Sequence, residues 1–194
     1  MKLQQYLQSL LPMPPAKADL IAQYLKEATF HKQEIFLQEG QISRYSYFLE
    51  KGFARCFTID LEGNEVTTRI FAAPDFINDY LSFFKRQASK ENYEAITDCV
   101  VKTLDFENAQ YCFHNIPEFR EWGRMMLTMN YVTLHDHMLA MHKETAEERY
   151  ANLLAQNPSI VQHVPLKIIA SYLGITDTSL SRIRRNFRKN GKAD

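Results

Sequence analysis

The spacing of apolar residues divides the chain into segments with different periodicities. Near the start, apolar positions at helical intervals are interrupted by prolines within residues 12–15, which predicts two short helices, the second ending near Ala28. From Thr29 to Leu104, short runs of aromatic and β-branched residues replace this pattern. Glycines separate these runs at intervals of twelve and eleven residues, at Gly40, Gly52 and Gly63. Regular short strands with glycine turns are typical of a small β-barrel or sandwich.

A long helix is predicted after this β-rich segment. Asn115 is a capping residue, Pro117 occupies an early helical position, and no further proline occurs before Pro158. One apolar stripe along this helix consists of Leu127, Tyr131, Leu134, Met138 and Met141. A second stripe, on another face, consists of Phe119, Trp122, Met126 and Met129. A helix that is apolar on two faces must be covered on both. The β-rich segment can cover one face. The other is covered either by the same helix of a second copy, which the pattern modestly favours, or within one monomer.

The C-terminal residues have the pattern of a helix-turn-helix. The first helix carries apolar residues at positions i, i+3, i+4 and i+7, namely Leu166, Ile169, Ala170 and Leu173. Gly174 then permits a sharp turn, and Thr176 or Asp177 caps the next helix. The inward face of that second helix is Leu180, Ile183 and Phe187, and its opposite face is polar and basic. A helix of this kind suits the major groove of DNA.

The charge distribution supports this interpretation. The formal net charge is zero, but residues 164–194 hold seven Lys and Arg against two acidic residues, so the rest of the chain is acidic. Residues 182–192 contain six basic residues and no acidic one, directly after the turn, which makes a merely solvated basic helix the less favoured alternative. The predicted DNA-binding residues are Thr176, Thr178, Ser179, Arg182, Arg185 and Lys189. Residues near the start of the helix are expected to read base edges, and the later cations to bind phosphates.

The sequence at residues 164–176, VPLKIIASYLGIT, followed by LSRIR at 180–184, resembles the winged-helix module of the Crp/Fnr (catabolite activator-like) family of bacterial regulators. The segment FLEKG at 48–52 resembles the β-roll of that family, and residues 115–143 are similar to its long dimerisation helix. The resemblance extends over about residues 20–189. It implies a homodimeric, sequence-specific transcriptional regulator that binds pseudo-palindromic double-stranded DNA and has RNA polymerase as a further partner.

The fold that the resemblance implies is α+β, in three parts. Residues 1–113 are expected to form a double-stranded β-helix, the jelly roll of cyclic-nucleotide-binding domains, with N-terminal helices. Residues 114–143 are expected to form the dimerisation helix, and residues 144–194 a small winged helix-turn-helix domain.

The effector pocket of the family departs from its usual pattern here. The family places a Gly-Glu pair after an Asp-Phe segment and an Arg-Ser/Thr-Ala element further on, whereas this chain has Asn-Asp-Tyr at 78–80 and SKENYEA at 89–95. An acidic residue near the phosphate position would repel a cyclic phosphate. The candidate pocket residues are Asn78, Asp79, Tyr80, Arg86 and Lys90. We expect this pocket to bind cyclic AMP poorly, and we predict no cofactor; the effector stays open.

Other functional classes have little support in the sequence. Three scattered cysteines cannot hold an iron–sulfur cluster and include no CxxC pair for zinc, and the histidines form no convergent metal set, although haem ligation by one histidine stays open. No nucleophile–base motif or phosphate-binding loop indicates an enzyme. No apolar run spans a membrane, so a cytoplasmic protein is expected. The alternative function is a module that binds a cyclic nucleotide or another small molecule and has little DNA affinity.

Overall fold

The computed structural model describes residues 1–190, with side chains described as far as Phe187. The strands are β1 Lys26–Phe30, β2 Ile35–Leu37, β3 Tyr45–Lys51, β4 Phe53–Ile59, β5 Glu65–Ala72, β6 Asp75–Ile77, β7 Asn92–Ala95 and β8 Cys99–Asp105. The helices are α1 Leu3–Leu10, α2 Pro15–Ala22, α3 Tyr80–Lys85, α4 Phe106–Asn115, α5 Pro117–Lys143, α6 Ala146–Gln156, α7 Pro158–His163, α8 Leu166–Tyr172 and α9 Asp177–Asn190.

The strands form two four-stranded sheets with antiparallel pairing. The strand order is β1-β8-β3-β6 in one sheet and β2-β7-β4-β5 in the other. Apolar side chains from both sheets, including Tyr47, Leu49, Phe71 and Val101, pack together in one buried cluster. This is the double-stranded β-roll that the sequence predicts.

A second core lies between this β-roll and the helices around it. Leu3 and Leu7 of α1 and Ile21 of α2 are fully buried there, together with Phe119 and Trp122 of α5. The second helix is shorter than predicted: α2 ends at Ala22, a turn follows, and β1 begins at Lys26, within the predicted helix. Each residue of β1 pairs with one of β8, and these tertiary hydrogen bonds override the local helical pattern.

The long helix α5 is confirmed and is covered on one face only. Phe119, Trp122 and Met126 are buried against the β-roll, whereas Met129, expected on the same stripe, is 47% exposed. Gly123 allows α4 to approach α5 closely, because a Cβ at this position would lie 2.5 Å from Cε1 of Phe113.

Helices α6 to α9 form a C-terminal module with its own apolar cluster, centred on Tyr150, Ile160, Ile169 and Leu180. A capping box starts α6, with reciprocal hydrogen bonds between Thr145 and Glu148. In the described part of this module all regular elements are helices, so the β-hairpin wing implied by the resemblance is not formed by any residue up to 190. Among the described residues, no helix is long and apolar enough to cross a membrane.

Candidate nucleic-acid interface and central cavity

The two helices α8 and α9 form the predicted helix-turn-helix. Ile169, Leu180 and Ile183 are buried where the helices meet. Gly174 between them has a φ of +66°, in the left-handed region, and the amide of Ile175 donates to the carbonyl of Ala170 at 3.0 Å, which closes the turn. Leu180 and Ile183 thus hold α9 against the module, as the sequence predicts, whereas Phe187, predicted on the same inward face, is 36% exposed and contacts the cluster through Tyr150.

A cluster of three hydroxyls lies at the start of α9. The amide of Ser179 donates to Oγ1 of Thr176 at 3.2 Å, so Thr176 rather than Asp177 makes this capping contact. Oγ1 of Thr176 also lies 2.9 Å from Oγ1 of Thr178 and donates to Oγ of Ser179 at 3.0 Å. These contacts bring the three predicted polar residues together and fix their positions relative to the helix.

The exposed face of α9 carries the predicted cations. Arg182 and Arg185 are exposed, and among the side chains described up to Phe187 neither forms an ion pair within the chain. The side chain of Lys189, the sixth predicted DNA-binding residue, lies outside those described. The described face therefore presents hydroxyls at its first turn and unneutralised guanidinium groups one and two turns later, which is suited to base edges and phosphates respectively.

The module is docked on the β-roll through α8. Oγ of Ser171 accepts from the amide of Thr67 at 2.8 Å and donates to the carbonyl of Glu65 at 3.1 Å. Because β5 is an edge strand, Ser171 satisfies backbone groups that no neighbouring strand pairs. Ile70 and Ile96 of the β-roll are buried in the apolar cluster of the module. The junction thus combines apolar burial with two hydrogen bonds.

A central cavity of about 350 Å³ lies beside this junction, between the β-roll, α5 and α8. The residues that line it are Cys56, Thr68, Arg69, Phe71, Asn78, Asp79, Tyr80, Glu91, Tyr93, Leu127, Asn130, Tyr131, Thr133, Leu134, His137 and Tyr172. Three of the five predicted pocket residues, Asn78, Asp79 and Tyr80, are among them.

The other two predicted pocket residues do not line the cavity. Arg86 follows α3 with a φ of +55°, and its Nη1 donates to the carbonyl of Ser43 at 2.8 Å while its guanidinium lies over the ring of Phe106. Lys90 is exposed. Neither cation of this loop therefore replaces the phosphate-binding arginine of the family.

The cation that does line the cavity is Arg69 of β5, which the sequence analysis did not select. Its Nη2 lies 3.6 Å from Oδ2 of Asp75, its Nη1 donates to Oδ1 of Asn130, and its guanidinium lies 4.6 Å from the ring centre of Phe71. Arg69 thus links the β-roll to α5. No sequence signal distinguishes it, because its partners are remote in the chain and strand arginines are common.

Ionisable groups around the cavity are perturbed by burial. Desolvation, followed by the charge of Glu91, raises the pKa of the Cys56 thiol to about 12. Burial also raises the pKa of Tyr93 and that of Tyr172. The pKa of His137 is lowered by burial and by Arg149, so this imidazole is neutral at neutral pH. The ring of His137 stacks on Tyr172 at 4.5 Å, which joins α5 to α8 at the edge of the cavity.

The fold and its sites define a class of protein, a β-roll of the cyclic-nucleotide-binding type joined by a long helix to a helix-turn-helix module. In agreement, residues 27–114 match the cyclic nucleotide-binding domain family. Among curated proteins, none matches the chain in sequence.

Several solved structures share the fold. The chain is similar to FixK2 from Bradyrhizobium japonicum, with 20% identity, a TM-score of 0.73 and 86% of each chain covered. It is similar to a mutant of CooA from Carboxydothermus hydrogenoformans, with 17% identity, a TM-score of 0.70, and 98% of this chain and 86% of that chain covered. A third neighbour is the c-di-GMP-responsive regulator CLP from Xanthomonas campestris, with 12% identity, a TM-score of 0.70, and 92% and 93% covered. The chain therefore has the fold of Crp/Fnr regulators, as the sequence predicts, and its β-roll matches the cyclic nucleotide-binding domain family.

Proposed function

We propose that this chain is a sequence-specific DNA-binding transcriptional regulator that acts as a homodimer. The observation that carries the proposal is the outward face of α9, where exposed arginines follow an ordered hydroxyl cluster on a helix held by its apolar side. Its structural neighbours include regulators such as FixK2, which is consistent with this role. The contact with RNA polymerase that the resemblance implies stays a prediction.

The dimer is supported by the second apolar stripe of α5. Leu127, Tyr131, Leu134, Met138 and Met141 are between 39% and 67% exposed in the single chain. An apolar stripe along most of a 27-residue helix is much more than scattered surface residues, and a second copy of the helix is the simplest cover. This pattern disfavours the alternative of a helix buried within one monomer.

The dimer is tested by sedimentation velocity with Leu134→Glu. We expect this variant to be monomeric and the unmodified chain to be dimeric at micromolar concentration, because a carboxylate at the seam must be desolvated without a partner. Thr128→Glu, an exposed position of α5 off the stripe, is the matched control and should leave the dimer intact. An unmodified chain that sediments as a monomer would contradict the proposed dimer.

DNA binding is tested by selecting bound sequences from a random pool and then measuring anisotropy across a salt series. Arg182→Ala should reduce discrimination between the selected and a random sequence by about 1–3 kcal/mol, because a bidentate contact to a base is lost. Arg185→Ala, one turn later, should weaken binding to both sequences equally and reduce the salt slope by about 0.9. An equal loss on both sequences in Arg182→Ala would refute these separate roles. The absence of a selected sequence would favour the alternative small-molecule-binding module.

We also propose that the central cavity does not hold a cyclic nucleotide. Asp79 and Glu91 both line it, and Arg69 is already paired with Asp75, so the balance of charge opposes a phosphate. Isothermal titration with cyclic AMP is the test, and binding at micromolar concentration would refute this part of the proposal.

A further inference from the structure

The carboxylates of the central cavity have no cationic partner. Oδ1 of Asp79 accepts from the amide of Ser82 at 2.9 Å, and Glu91 accepts from the hydroxyl of Thr68. Among the described side chains, no ion pair involves either carboxylate. The adjacent Arg69 does not neutralise them by a direct contact, because its ion pair is with Asp75. The cavity therefore carries more negative than positive charge.

The hydroxyl of Tyr93 is a third hydrogen-bond acceptor that lines the central cavity. Tyr93 is only 4% exposed and lines the cavity, and its hydroxyl has no hydrogen-bond partner among the described residues. The Tyr93 hydroxyl is thus available to an occupant of the cavity. The buried Oδ1 of Asn78, which also lines the cavity, has no hydrogen-bond partner among the described residues, although buried polar groups are almost always hydrogen-bonded. Burial raises the pKa of Tyr93, and Cys56, Glu91 and Asp79 raise it further, so both carboxylates act on this hydroxyl. Asp79, Glu91 and Tyr93 all line this one cavity.

The remaining walls are aromatic and apolar. Rings from one sheet and from helices α3, α5 and α8 line the cavity, namely Phe71, Tyr80, Tyr93, Tyr131, His137 and Tyr172. Aromatic faces carry partial negative charge and attract cations, while they also exclude water from an apolar ligand. A volume of about 350 Å³ is sufficient for a small organic molecule.

We propose that the central cavity binds a primary ammonium carried on an aromatic or other apolar body. A primary ammonium has three N–H donors, and the acceptors that line the cavity include the carboxylates of Asp79 and Glu91 and the hydroxyl of Tyr93. The apolar body packs against the aromatic walls. The inference rests on the proposed function insofar as this cavity is the effector site of a regulator, and it names the chemical class of the effector.

The choice of a primary over a fully methylated ammonium follows from the acceptors. A quaternary ammonium would be attracted by the aromatic rings and carboxylates but donates no hydrogen bond, so the Tyr93 hydroxyl would stay unpaired. A carboxylate or phosphate ligand would face Asp79 and Glu91 directly, and like charges in a confined site repel.

Four probes that share a phenyl ring test the proposal by isothermal titration against the full chain. They are 2-phenylethylammonium, its N,N,N-trimethyl derivative, 2-phenylethanol and phenylacetate. We expect the primary ammonium to bind at least about tenfold more tightly than each of the other three, because charge-assisted hydrogen bonds are worth more than about 1.4 kcal/mol, a factor of ten. Failure of the primary ammonium to bind, or equal binding of phenylacetate, would overturn the proposal.

Variants locate the binding site. Glu91→Gln and Tyr93→Phe should each weaken the primary ammonium by about tenfold while leaving the weak binding of 2-phenylethanol unchanged. Glu62→Gln, an exposed acid in the β4–β5 turn, and Tyr47→Phe, a buried tyrosine outside the cavity, are the matched controls. Thermal unfolding of each variant verifies that it folds. If Glu91→Gln does not fold, the affinity of Tyr93→Phe for the primary ammonium tests the assignment of the cavity, because this variant keeps the ring and removes one oxygen.

The outcomes separate this inference from the proposed function. A chain that binds its selected DNA but not 2-phenylethylammonium keeps the regulatory function and loses the inference. If the chain binds the ammonium with the expected variant pattern but selects no DNA sequence, the assignment of the cavity is supported and the proposed regulatory function is refuted. Unchanged ammonium affinity in both Glu91→Gln and Tyr93→Phe refutes the assignment of the cavity even if the probe binds elsewhere.

Discussion

The buried guanidinium of Arg55 connects three strands of one sheet, and its removal is the sharpest test of how the β-roll is stabilised. Arg55 is 6% exposed, on β4. Its Nε donates to Oε2 of Glu94 on β7, and its Nη2 donates to Oε2 of Glu65 on β5, both at 2.6 Å. Its guanidinium also lies 4.2 Å from the ring centre of Phe57. The perturbation that we consider is Arg55→Met, which keeps an unbranched side chain of similar length.

The expected loss follows from the exposure of the two carboxylates. Removing one partner of a buried ion pair costs about 3–5 kcal/mol, because the other charge stays desolvated. The side chain of Glu94 is 15% exposed and cannot easily reach water, whereas that of Glu65 is 43% exposed and can turn to solvent. We therefore expect about 3 kcal/mol, at the lower end of that range. For a chain of 194 residues this corresponds to a decrease in Tm of about 6–12 °C.

The assay is thermal and urea unfolding followed by circular dichroism. Arg124→Met is the matched control, because Arg124 also contacts a carboxylate through two nitrogens, that of Glu121, but both side chains are exposed to water. An exposed ion pair contributes little to stability, so this variant should unfold at nearly the same temperature as the unmodified chain. A large loss of stability in Arg55→Met and a small one in Arg124→Met would show that burial of the ion pair, and not its hydrogen-bond geometry alone, determines the cost.

A second substitution tests the physical reason. In the Arg55→Met chain the carboxylate of Glu94 stays largely buried and loses its cationic partner. Glu94→Gln in the same chain should recover part of the loss at neutral pH. A decrease in Tm of less than about 2 °C in Arg55→Met, or no recovery with Glu94→Gln, would refute the argument from an uncompensated buried charge.

Three further predictions concern the turn, a helix cap and a thiol. Gly174→Ala should destabilise the chain in urea, because the new Cβ would clash with Cε of Met141 and because alanine disfavours a φ of +66°. Adding Met141→Ala should relieve the clash but leave about 1 kcal/mol of left-handed backbone strain, and full recovery of stability would contradict this. Thr145→Ala should cost about 1 kcal/mol near neutral pH. The backbone amide of Thr145, followed by its hydroxyl, lowers the pKa of Glu148, and the substitution removes only the hydroxyl. The difference from the unmodified chain should therefore be largest above the ordinary glutamate pKa and become smaller, without disappearing, as the pH falls through the lowered one, because the cap from the Glu148 amide to the hydroxyl does not titrate. Cys56, whose buried thiol has a pKa raised to about 12, should react with a disulfide reagent no faster than the chain opens, and rapid labelling of the native chain would contradict its burial.

The elements that the sequence predicts well are those whose pattern is local. The helix-turn-helix follows from apolar spacing around Gly174, and the stripe from Leu127 to Met141 follows from steps of three and four residues. Both patterns depend only on the periodicity of one helix. The length of α2 was predicted wrongly because residues near Ala28 gain ladder hydrogen bonds with β8, and such pairing with a strand about 70 residues away leaves no local trace.

The cavity residues were only partly predictable, for a related reason. Asn78, Asp79 and Tyr80 were found by their position after the Asp-Phe segment, which one short stretch of chain fixes. Arg86 and Lys90 were chosen as substitutes for a missing arginine, but the chain turns away at Arg86, which adopts a left-handed conformation and binds a backbone carbonyl instead. The cation in the cavity comes from another strand, β5, and only the pairing of the sheets brings it there.

The position of the central cavity has a consequence for regulation. Tyr172, which lines it, directly follows Ser171, the residue that binds the edge of β5, and Arg69 lies two residues after Thr67 on that edge. An occupant that touches both walls is therefore adjacent to the junction that docks the helix-turn-helix module. A ligand shifts a conformational equilibrium only through contacts that differ between the two states. Contacts with Tyr172 meet this condition because this side chain moves with α8, whereas contacts with the β-roll alone would not. If the module moves relative to the β-roll on activation, the cavity and α9 are coupled directly through this junction. Tyr172→Ala removes one aromatic wall of the cavity, so it should weaken ligand binding and also reduce the effect of the bound ligand on DNA affinity measured by anisotropy, while DNA affinity without ligand stays unchanged.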